Sequence, residues 1–225
     1  NVAFTPNGSQ VWVTSYDTQK LLGFTTDSAQ TPIRTINLPG TPEGIVILHD
    51  GVHAVLPMSN LNDLAYVDLS TGVVTRPFPV SGHLYPADIA LSDDGQYIGV
   101  SYYFGQSAAV FRVSDFSLVQ RWNTSTNPAT VAFVPGTSTI VVTNPAIAIV
   151  EILTVGSFIP YPLPVTGSPW GQAFSPDGSR YLVLNSNSSN SLNDYANPNF
   201  VTPSLGALTI RPSGAAAQYA SFTPD

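Results

Sequence analysis

The stretch that decides the fold is Phe174-Ser-Pro-Asp-Gly-Ser-Arg-Tyr-Leu-Val-Leu-Asn185. It begins with an apolar residue, passes through Pro-Asp-Gly and continues as a run of β-forming residues. Proline presets the entry to a tight turn and glycine supplies its positive φ, so the stretch predicts strand, turn and strand. Related segments recur at intervals of 43, 44, 42, 41 and 48 residues, anchored by Phe4, Ile47, Leu91, Phe133, Phe174 and Phe222. This spacing indicates an internal repeat.

Each repeat contains four β-rich runs, and in the second repeat the last three are Ala54–Leu56, Leu64–Leu69 and Val73–Val80. Four short strands in a repeat of about 40 to 45 residues are typical of a propeller blade. We therefore predict an all-β fold, a β-propeller of four-stranded antiparallel blades, with about five blades in this window. A solenoid is the main alternative, although its usual units are helical or shorter. The predicted units are approximately 1–43, 44–87, 88–129, 130–170 and 171–219, followed by a further first strand at 220–225.

Several segments resemble the repeat of the YVTN, or lactonase-like, β-propeller superfamily. The stretch Phe174–Asn185 is similar to its SPDG…YVTN pattern, and so is Val131–Asn144, which ends in Ile-Val-Val-Thr-Asn. The turn Asp68-Leu-Ser-Thr-Gly72 resembles the D-x-x-T-G turn that joins the third and fourth strands of that repeat. The resemblance implies the propeller fold. It does not imply one activity, because the superfamily contains enzymes, binding proteins and surface-layer components.

The composition is that of an apolar, acidic and turn-rich globular chain of 225 residues. Apolar residues make up 43% of it, charged residues 9%, and the net charge is −7. Lys20 is the only lysine, so we expect no nucleic-acid partner and no polybasic membrane surface. No apolar run approaches 18 residues, so we expect no membrane insertion. The absence of cysteine excludes disulfide scaffolds and thiolate sites.

The surplus strand at 220–225 does not fit a closed ring of five blades, because Val2–Phe4 already fills the equivalent position. An open strand edge is an aggregation liability. We therefore expect a larger ring in a longer polypeptide, whose partners are further blades or other protein chains. A five-bladed ring with a redundant strand is the alternative.

The fifth repeat departs from the others after Asn185. The segment 186–199 is rich in Ser and Asn and almost free of β-forming residues, which predicts a long surface loop. Strand character resumes at Gly206–Ile210, as either the third or the fourth strand of this blade.

In a propeller, the segments that enter each first strand face the central opening. Here they contribute Glu43, Asp88, Thr130 and Trp170, with His83 and Tyr85 slightly upstream. The loops between second and third strands face the same opening, and they add Ser15, Tyr16, Asp17, Asn60, Tyr103, Asn144 and Asn187.

Glu43 and Asp88 are the candidate catalytic residues, and with an Asn oxygen they are also candidate ligands of Ca²⁺. Only two carboxylates occur at the favoured positions, so we expect no metal and no cofactor, with Ca²⁺ as the alternative. No Gly-x-Ser-x-Gly nucleophile motif and no phosphate-binding loop is present. Trp170, Tyr103 and Asn144 are the candidate ligand-binding residues, because aromatic rings stack on sugars and amides form hydrogen bonds with them.

Three Asn-x-Ser/Thr sequons begin at Asn7, Asn123 and Asn187, and we expect them in turns and loops. Low lysine, abundant Ser, Thr and Asn and twenty prolines favour an extracellular or cell-surface location with attached or bound glycans. Three functions follow. The first is a non-catalytic structural or interaction module, such as a glycosylated subunit of a larger assembly, appendage or filament. The alternatives are a lactonase-like hydrolase with a polar or Ca²⁺ site at the axis, and a carbohydrate-binding propeller.

Overall fold

The computed structural model describes residues 1–27, 31–165, 167–186, 191–196 and 206–209. These residues form five four-stranded sheets, and in every sheet consecutive strands are neighbours. All strand pairs are antiparallel: residue Val13, for example, pairs with Val2 on one side and with Leu22 on the other. The fold is therefore all-β with four-stranded blades, as the repeat predicts.

The first two sheets cover the first two repeats. The strands of sheet 1 are β1 (Val2–Phe4), β2 (Gln10–Ser15), β3 (Lys20–Thr25) and β4 (Arg34–Asn37). Those of sheet 2 are β5 (Val46–Ile47), β6 (His53–Met58), β7 (Asp63–Asp68) and β8 (Val74–Thr75), with a 3-10 turn at Ser59–Leu61.

The next two sheets have the same order. The strands of sheet 3 are β9 (Pro86–Leu91), β10 (Tyr97–Tyr102), β11 (Ser107–Arg112) and β12 (Leu118–Asn123). Those of sheet 4 are β13 (Val131–Phe133), β14 (Thr139–Asn144), β15 (Ile149–Thr154) and β16 (Tyr161–Pro164). Sheet 5 contains β17 (Pro169–Phe174), β18 (Arg180–Asn185), β19 (Ser191–Ala196) and β20 (Gly206–Thr209).

The first strands of successive sheets contact one another: β1 lies against β5, β5 against β9, β9 against β13 and β13 against β17. This places the first strand of each sheet innermost and arranges the sheets radially, as blades of a propeller. Four apolar clusters fill the spaces between sheets 1 and 2, 2 and 3, 3 and 4, and 4 and 5. Sheets 2, 3 and 4 therefore bury both faces against neighbouring blades, and sheets 1 and 5 each bury one face in the same way, which a lone sheet cannot do.

Close packing inside the first blade depends on a glycine opposite a tryptophan. Trp12 is only 1% exposed and pairs across the sheet with Gly23. A Cβ atom on Gly23 would lie 2.7 Å from the Trp12 ring, so any side chain there would displace the ring. Trp12 is a core residue.

The turn between first and second strands is closed by a backbone hydrogen bond in every blade, and in four blades it ends in a glycine at the same position. These glycines, Gly8, Gly51, Gly95 and Gly178, have φ of +68° or +69°, whereas in the fourth blade the glycine with φ of +69°, Gly136, lies one position earlier and Thr137 closes the turn. Each turn also lies against the next one. A Cβ atom added to Gly51 would lie 3.5 Å from Pro6, one added to Gly95 would lie 2.6 Å from His49, and one added to Gly178 would lie 3.2 Å from Pro135. Asp93 Oδ2 also accepts a hydrogen bond from Gly136 N at 2.9 Å. The turns thus form a continuous belt on one side of the blades.

The fifth blade differs from its predicted loop. Strand β19 lies within 186–199, where we expected a surface loop, and it pairs with β18 along all six of its residues. Its Tyr195 is 4% exposed and belongs to the cluster shared with sheet 4. Backbone pairing to β18 and burial of one ring outweigh the low β propensity of Ser and Asn. Strand β20 is the fourth strand of this blade.

Two further expectations lie at the limits of the described residues. The strand predicted at 220–225 lies outside them, so ring size stays a prediction. Within them, no apolar cluster joins sheet 5 to sheet 1, and Val2 and Phe4 on β1 are 58% and 61% exposed. No described helix has the length and apolar character needed to cross a membrane.

Candidate functional site

A cavity of about 340 Å³ lies where the first strands of the five blades begin. Every blade contributes to it from the same point of its repeat, immediately before or at the start of the first strand. The lining residues are Asn1, Glu43, Tyr85, Ala87, Asp88, Tyr103, Phe104, Ala129, Thr130 and Trp170. We call this cavity the axial pocket, because it lies at the centre toward which the blades converge.

Trp170 reaches the pocket through an irregularity in β17. Pro169 pairs with Asn185 and Gly171 pairs with Leu184, so Trp170 is an extra residue between two paired ones. Such a bulge bends the strand and re-aims a side chain, and bulges often occur beside functional sites. The backbone of this bulge therefore positions the half-buried Trp170 as a lining residue of the pocket.

Three aromatic rings form one wall of the pocket: Tyr85, which immediately precedes β9, and Tyr103 and Phe104, which follow β10. The centroid of the Tyr85 ring lies 6.3 Å from that of Tyr103 and 4.9 Å from that of Phe104, and the Tyr103 and Phe104 centroids are 5.2 Å apart. All three pairs meet edge to face, an arrangement that aromatic rings prefer. Phe104 remains 60% exposed, so this wall presents an apolar surface to solvent.

Tyr85 is held in place by hydrogen bonds to four different residues. Its hydroxyl donates to Glu43 Oε1 at 2.8 Å, and its N–H donates to Asn62 Oδ1 at 2.8 Å. Its carbonyl accepts from Tyr103 N at 2.9 Å, and Tyr16 also bonds to its hydroxyl. These bonds hold a backbone φ of +57°, which is unusual for tyrosine. Burial, followed by the bond to Glu43, raises the pKa of Tyr85 well above its usual value.

Asp88 joins the third blade to the fourth at the base of the pocket. Its Oδ2 accepts a hydrogen bond from Val131 N, the first residue of β13, at 3.0 Å. Burial raises the pKa of the Asp88 carboxyl to about 6, although the backbone N–H groups of Val131 and Ile89 lower it in part. Asp88 is therefore a proton-exchanging group close to neutral pH.

The pocket brings Glu43 and Asp88 into one cavity, and among the described residues that line it they are the only carboxylates. In the described part of the chain, no group of three or more His, Asp or Glu side chains is arranged to hold a metal ion. A Ca²⁺ ion bound here would have to take its remaining oxygen ligands from backbone carbonyls, amides or water.

The axial pocket unites six of the thirteen residues that the sequence placed at the central opening: Glu43, Tyr85, Asp88, Tyr103, Thr130 and Trp170. Of the other seven, Ser15, Tyr16, Asp17, Asn60, His83 and Asn144 are not among the lining residues, and Asn187 lies outside the described residues. The sequence did not indicate Asn1, Ala87, Phe104 and Ala129 as lining residues. The sequence could have identified Asn1, because it precedes its first strand as Glu43 does; in the structure its side chain donates a hydrogen bond to the Glu43 carbonyl. It could also have identified Phe104, which belongs to the aromatic cluster at 102–104.

Asn144 does not line the pocket. It is completely buried, and its amide donates to the Glu151 carboxylate. Glu151 is 2% exposed and also accepts from Ser125 Oγ at 2.7 Å and Ser125 N at 3.1 Å. This network ties the loop after β12 to sheet 4 and satisfies a buried carboxylate.

The sequons occupy different environments. The Asn7 side chain is exposed in the first turn, where its Oδ1 accepts from Thr5 Oγ1, Ser9 N and Ser9 Oγ. Asn123 is also exposed, but it is the last residue of β12 and pairs with Ser107 rather than lying in a loop as expected. Asn187 lies outside the described residues.

No protein-family model matches this chain, and no curated protein matches its sequence. Its fold matches 1599 chains of solved structures, so the architecture is common and does not by itself select a function. One of them is the β-propeller-containing hydrazine synthase of Kuenenia stuttgartiensis, with a TM-score of 0.76 and 15% sequence identity. The match covers 88% of this chain and 62% of that chain. At this identity the likeness shows the fold alone.

Proposed function

We propose that this chain is a non-catalytic binding propeller of an extracellular or cell-surface protein, built from YVTN-type repeats, whose axial pocket binds a carbohydrate. The observation that carries the proposal is the composition of the pocket wall. Trp170, Tyr85, Tyr103 and Phe104 provide four aromatic rings, and Glu43 and Asp88 provide two carboxyl groups, within one cavity.

Aromatic rings and carboxylates together suit a polyhydroxylated ring. The C–H face of a sugar is apolar and packs on indole and phenol rings, while its hydroxyl groups donate to carboxylate oxygens. The bulge at Trp170 and the hydrogen bonds of Tyr85 fix the rings before a ligand arrives. Fixed rings lose little conformational entropy on binding.

The charge of the pocket selects among sugars. No Lys, Arg or His is present among the described residues that line it, whereas two acidic residues are. A sugar with a carboxylate or sulfate would meet like charge in a partly desolvated site. We therefore propose neutral or amino sugars as ligands. The volume of about 340 Å³ is at the lower end of ligand pockets, which favours a short saccharide.

The proposed setting is a larger assembly. Further blades or other protein chains would be its partners, and the exposed Asn7 and Asn123 side chains are proposed sites of N-glycosylation. In this setting the propeller acts as an interaction module, and the axial pocket supplies the specific contact.

The test is titration of the protein with neutral, amino and acidic saccharides, followed by Trp fluorescence and calorimetry. We expect Trp170→Ala to weaken binding of the best saccharide at least 10-fold, because removal of a central aromatic anchor costs about 2 kcal/mol or more. Tyr161→Ala is the matched control, since Tyr161 is 55% exposed on the outer strand β16. Absence of binding by every saccharide, or equal loss in both variants, would refute the proposal.

Asp88 favours a second candidate, the lactonase-like hydrolase. A carboxyl group with a pKa of about 6 exchanges protons near neutral pH and could activate water. The test is lactone hydrolysis with and without Ca²⁺, using Asp88→Asn and Glu43→Gln. Turnover that both substitutions abolish, with the fold intact, would establish the hydrolase; absence of turnover in the unmodified protein would exclude it.

A further inference from the structure

A group of polar atoms is buried without a hydrogen-bond partner between the second and third blades. The atoms are His83 Nδ1, Tyr102 Oη, Ser107 Oγ and Arg121 Nε. Only one other atom of this kind, Asn185 Oδ1, occurs among the described residues. Tyr102 and Ser107 are completely buried and His83 is 3% exposed. Buried donors without partners are costly, so a group of them points to a bound species.

The sheet register places these side chains together. Tyr102 on β10 pairs with Ser107 on β11, and Arg121 on β12 pairs with Ala109. Paired residues, and residues two apart on a strand, lie on the same face of a sheet. This face packs on sheet 2, as Tyr102 and Ala109 belong to the cluster shared by the two sheets. The His83 ring lies over that of Tyr102, with 4.3 Å between centroids.

The group carries positive charge without a counter-ion. Arg121 has no carboxylate within salt-bridge distance in the described structure, and its Nη2 has only a 3.5 Å contact to the Gly82 carbonyl. Arg76, Arg112 and Arg180 are each paired with an aspartate, and Arg34, which has no ion pair among the described residues, is exposed to solvent. Arg121 differs from all four because it is partly buried and has no carboxylate partner, in a chain with 14 acidic and 7 basic residues.

The other members of the group do not neutralise Arg121. Burial, followed by the charge of Arg121, lowers the pKa of His83 to about 4, so the imidazole is neutral at pH 7. The nearby Asp63 is engaged by Arg76 at 3.2 Å. The phenol and hydroxyl groups of Tyr102 and Ser107 can both donate hydrogen bonds.

We propose that His83, Tyr102, Ser107 and Arg121 form a binding site for a small monovalent inorganic anion such as chloride. The guanidinium supplies the charge, and the two hydroxyl groups and the imidazole N–H supply further donors. The site is separate from the axial pocket. The two sites are adjacent along the chain, since His83 lies two residues before the lining residue Tyr85 and Tyr102 lies one residue before Tyr103. The anion therefore holds the segment 82–85 against β10.

The first experiment compares thermal unfolding in sodium chloride and in sodium gluconate at equal ionic strength. Gluconate is too large for a buried site, so only chloride should stabilise the native state by binding to it. We expect chloride to raise the Tm by about 3 °C or more. Arg121→Gln should abolish the difference between the two salts, and Arg112→Gln, which removes an exposed arginine, should keep it. An equal Tm in both salts for the unmodified protein would overturn the proposal.

The second experiment does not depend on a variant. Crystals of the unmodified protein soaked in sodium bromide should show an anomalous peak within hydrogen-bond distance of Arg121 Nε and Tyr102 Oη. A water molecule at this position, without an anomalous peak, would overturn the proposal.

Discussion

The two ends of the blades differ in how strictly they repeat. At one end, four of the five turns between first and second strands end in a glycine with φ of +68° or +69°, and the fourth blade has such a glycine one position earlier. At the other end, the residues before or at the start of the first strands are Asn1, Glu43, Asp88, Thr130 and Trp170. Blade packing needs a closed turn at this place in each repeat. It does not need the same side chain at the pocket, and there the repeat has diverged.

The turn end and the pocket end also differ in how they change the pKa of a carboxyl group. In the fifth turn, Asp177 accepts hydrogen bonds from Ser175 Oγ at 2.6 Å and Ser179 N at 3.0 Å, and these bonds lower its pKa to about 2. At the pocket, burial raises the pKa of Asp88 to about 6. The turn stabilises its charge, whereas the pocket holds a carboxyl group at a cost in stability. Such a cost is typical of binding sites rather than of scaffolds.

The largest effect is expected at the turns. Gly95→Ala places a Cβ atom at φ +69° and 2.6 Å from His49 Nδ1 of the preceding turn. We expect it to lower the free energy of unfolding by about 2 to 3 kcal/mol, because left-handed strain and displacement of His49 add together. Chemical denaturation measures this change.

Gly8→Ala is the matched control, since Gly8 has φ +68° but nothing within 4 Å of the added atom. It should cost only the strain, about 1 to 2 kcal/mol. An equal cost in both variants would show that the added Cβ atom does not have to displace His49, and hence that the second and third turns are not closely packed at this point.

The contribution of the pocket residue Asp88 to stability should change with pH in the direction opposite to that of the turn residue Asp177. The native pKa of Asp88, about 6, lies above its unfolded value, so its contribution to stability falls as pH rises from about 4 to about 6 and stays low above that. Asp88→Asn keeps an oxygen acceptor for Val131 N and removes this titration. We expect its stability relative to the unmodified protein to be about 1 to 2 kcal/mol higher at pH 7 than at pH 4.

Denaturant unfolding across this pH range measures the effect. Asp63→Asn is the control, because Asp63 lies outside the pocket and pairs with Arg76 at 3.2 Å. A constant difference between Asp88→Asn and the unmodified protein from pH 4 to pH 7 would contradict the raised pKa.

The features that the repeat determines, namely the turns, the four-stranded blades and the residues at the strand entries, can be predicted from the sequence. The Pro-Asp-Gly pattern predicts the turns, the spacing predicts five four-stranded units, and one structural argument about strand entries places Glu43, Asp88, Thr130 and Trp170 at the axis. All four line the pocket in the structure. These predictions depend only on local chemistry and on the period of the chain.

Features that depend on contacts between distant residues were not predictable in this way. Asn144 has the position of a pocket residue, but it turns to Glu151, whose burial no local pattern indicates. Strand β19 forms from Ser and Asn because β18 offers an edge. The group around Arg121 depends on the register of three strands and on the loop that brings His83 to them.

The smallest effect is expected from Asp177→Asn, because the first blade already contains this substitution. Asn7 occupies the equivalent position, and its Oδ1 accepts from Thr5 Oγ1 at 2.8 Å, Ser9 N at 3.1 Å and Ser9 Oγ at 2.8 Å. An amide oxygen therefore supports the same turn as the carboxylate, and the variant should unfold at nearly the same denaturant concentration as the unmodified protein at pH 7.

The native pKa of Asp177, about 2, lies below the unfolded value, so the contribution of the carboxylate to stability is present above about pH 4 and is lost as pH falls toward 2. Asp177→Asn should remove that loss, and its Tm should decrease less than that of the unmodified protein between pH 4 and pH 2. Parallel Tm curves in this acid range would show that the turn carboxylate is not stabilised by its hydrogen bonds, and the electrostatic contrast between turn and pocket would then rest on Asp88 alone.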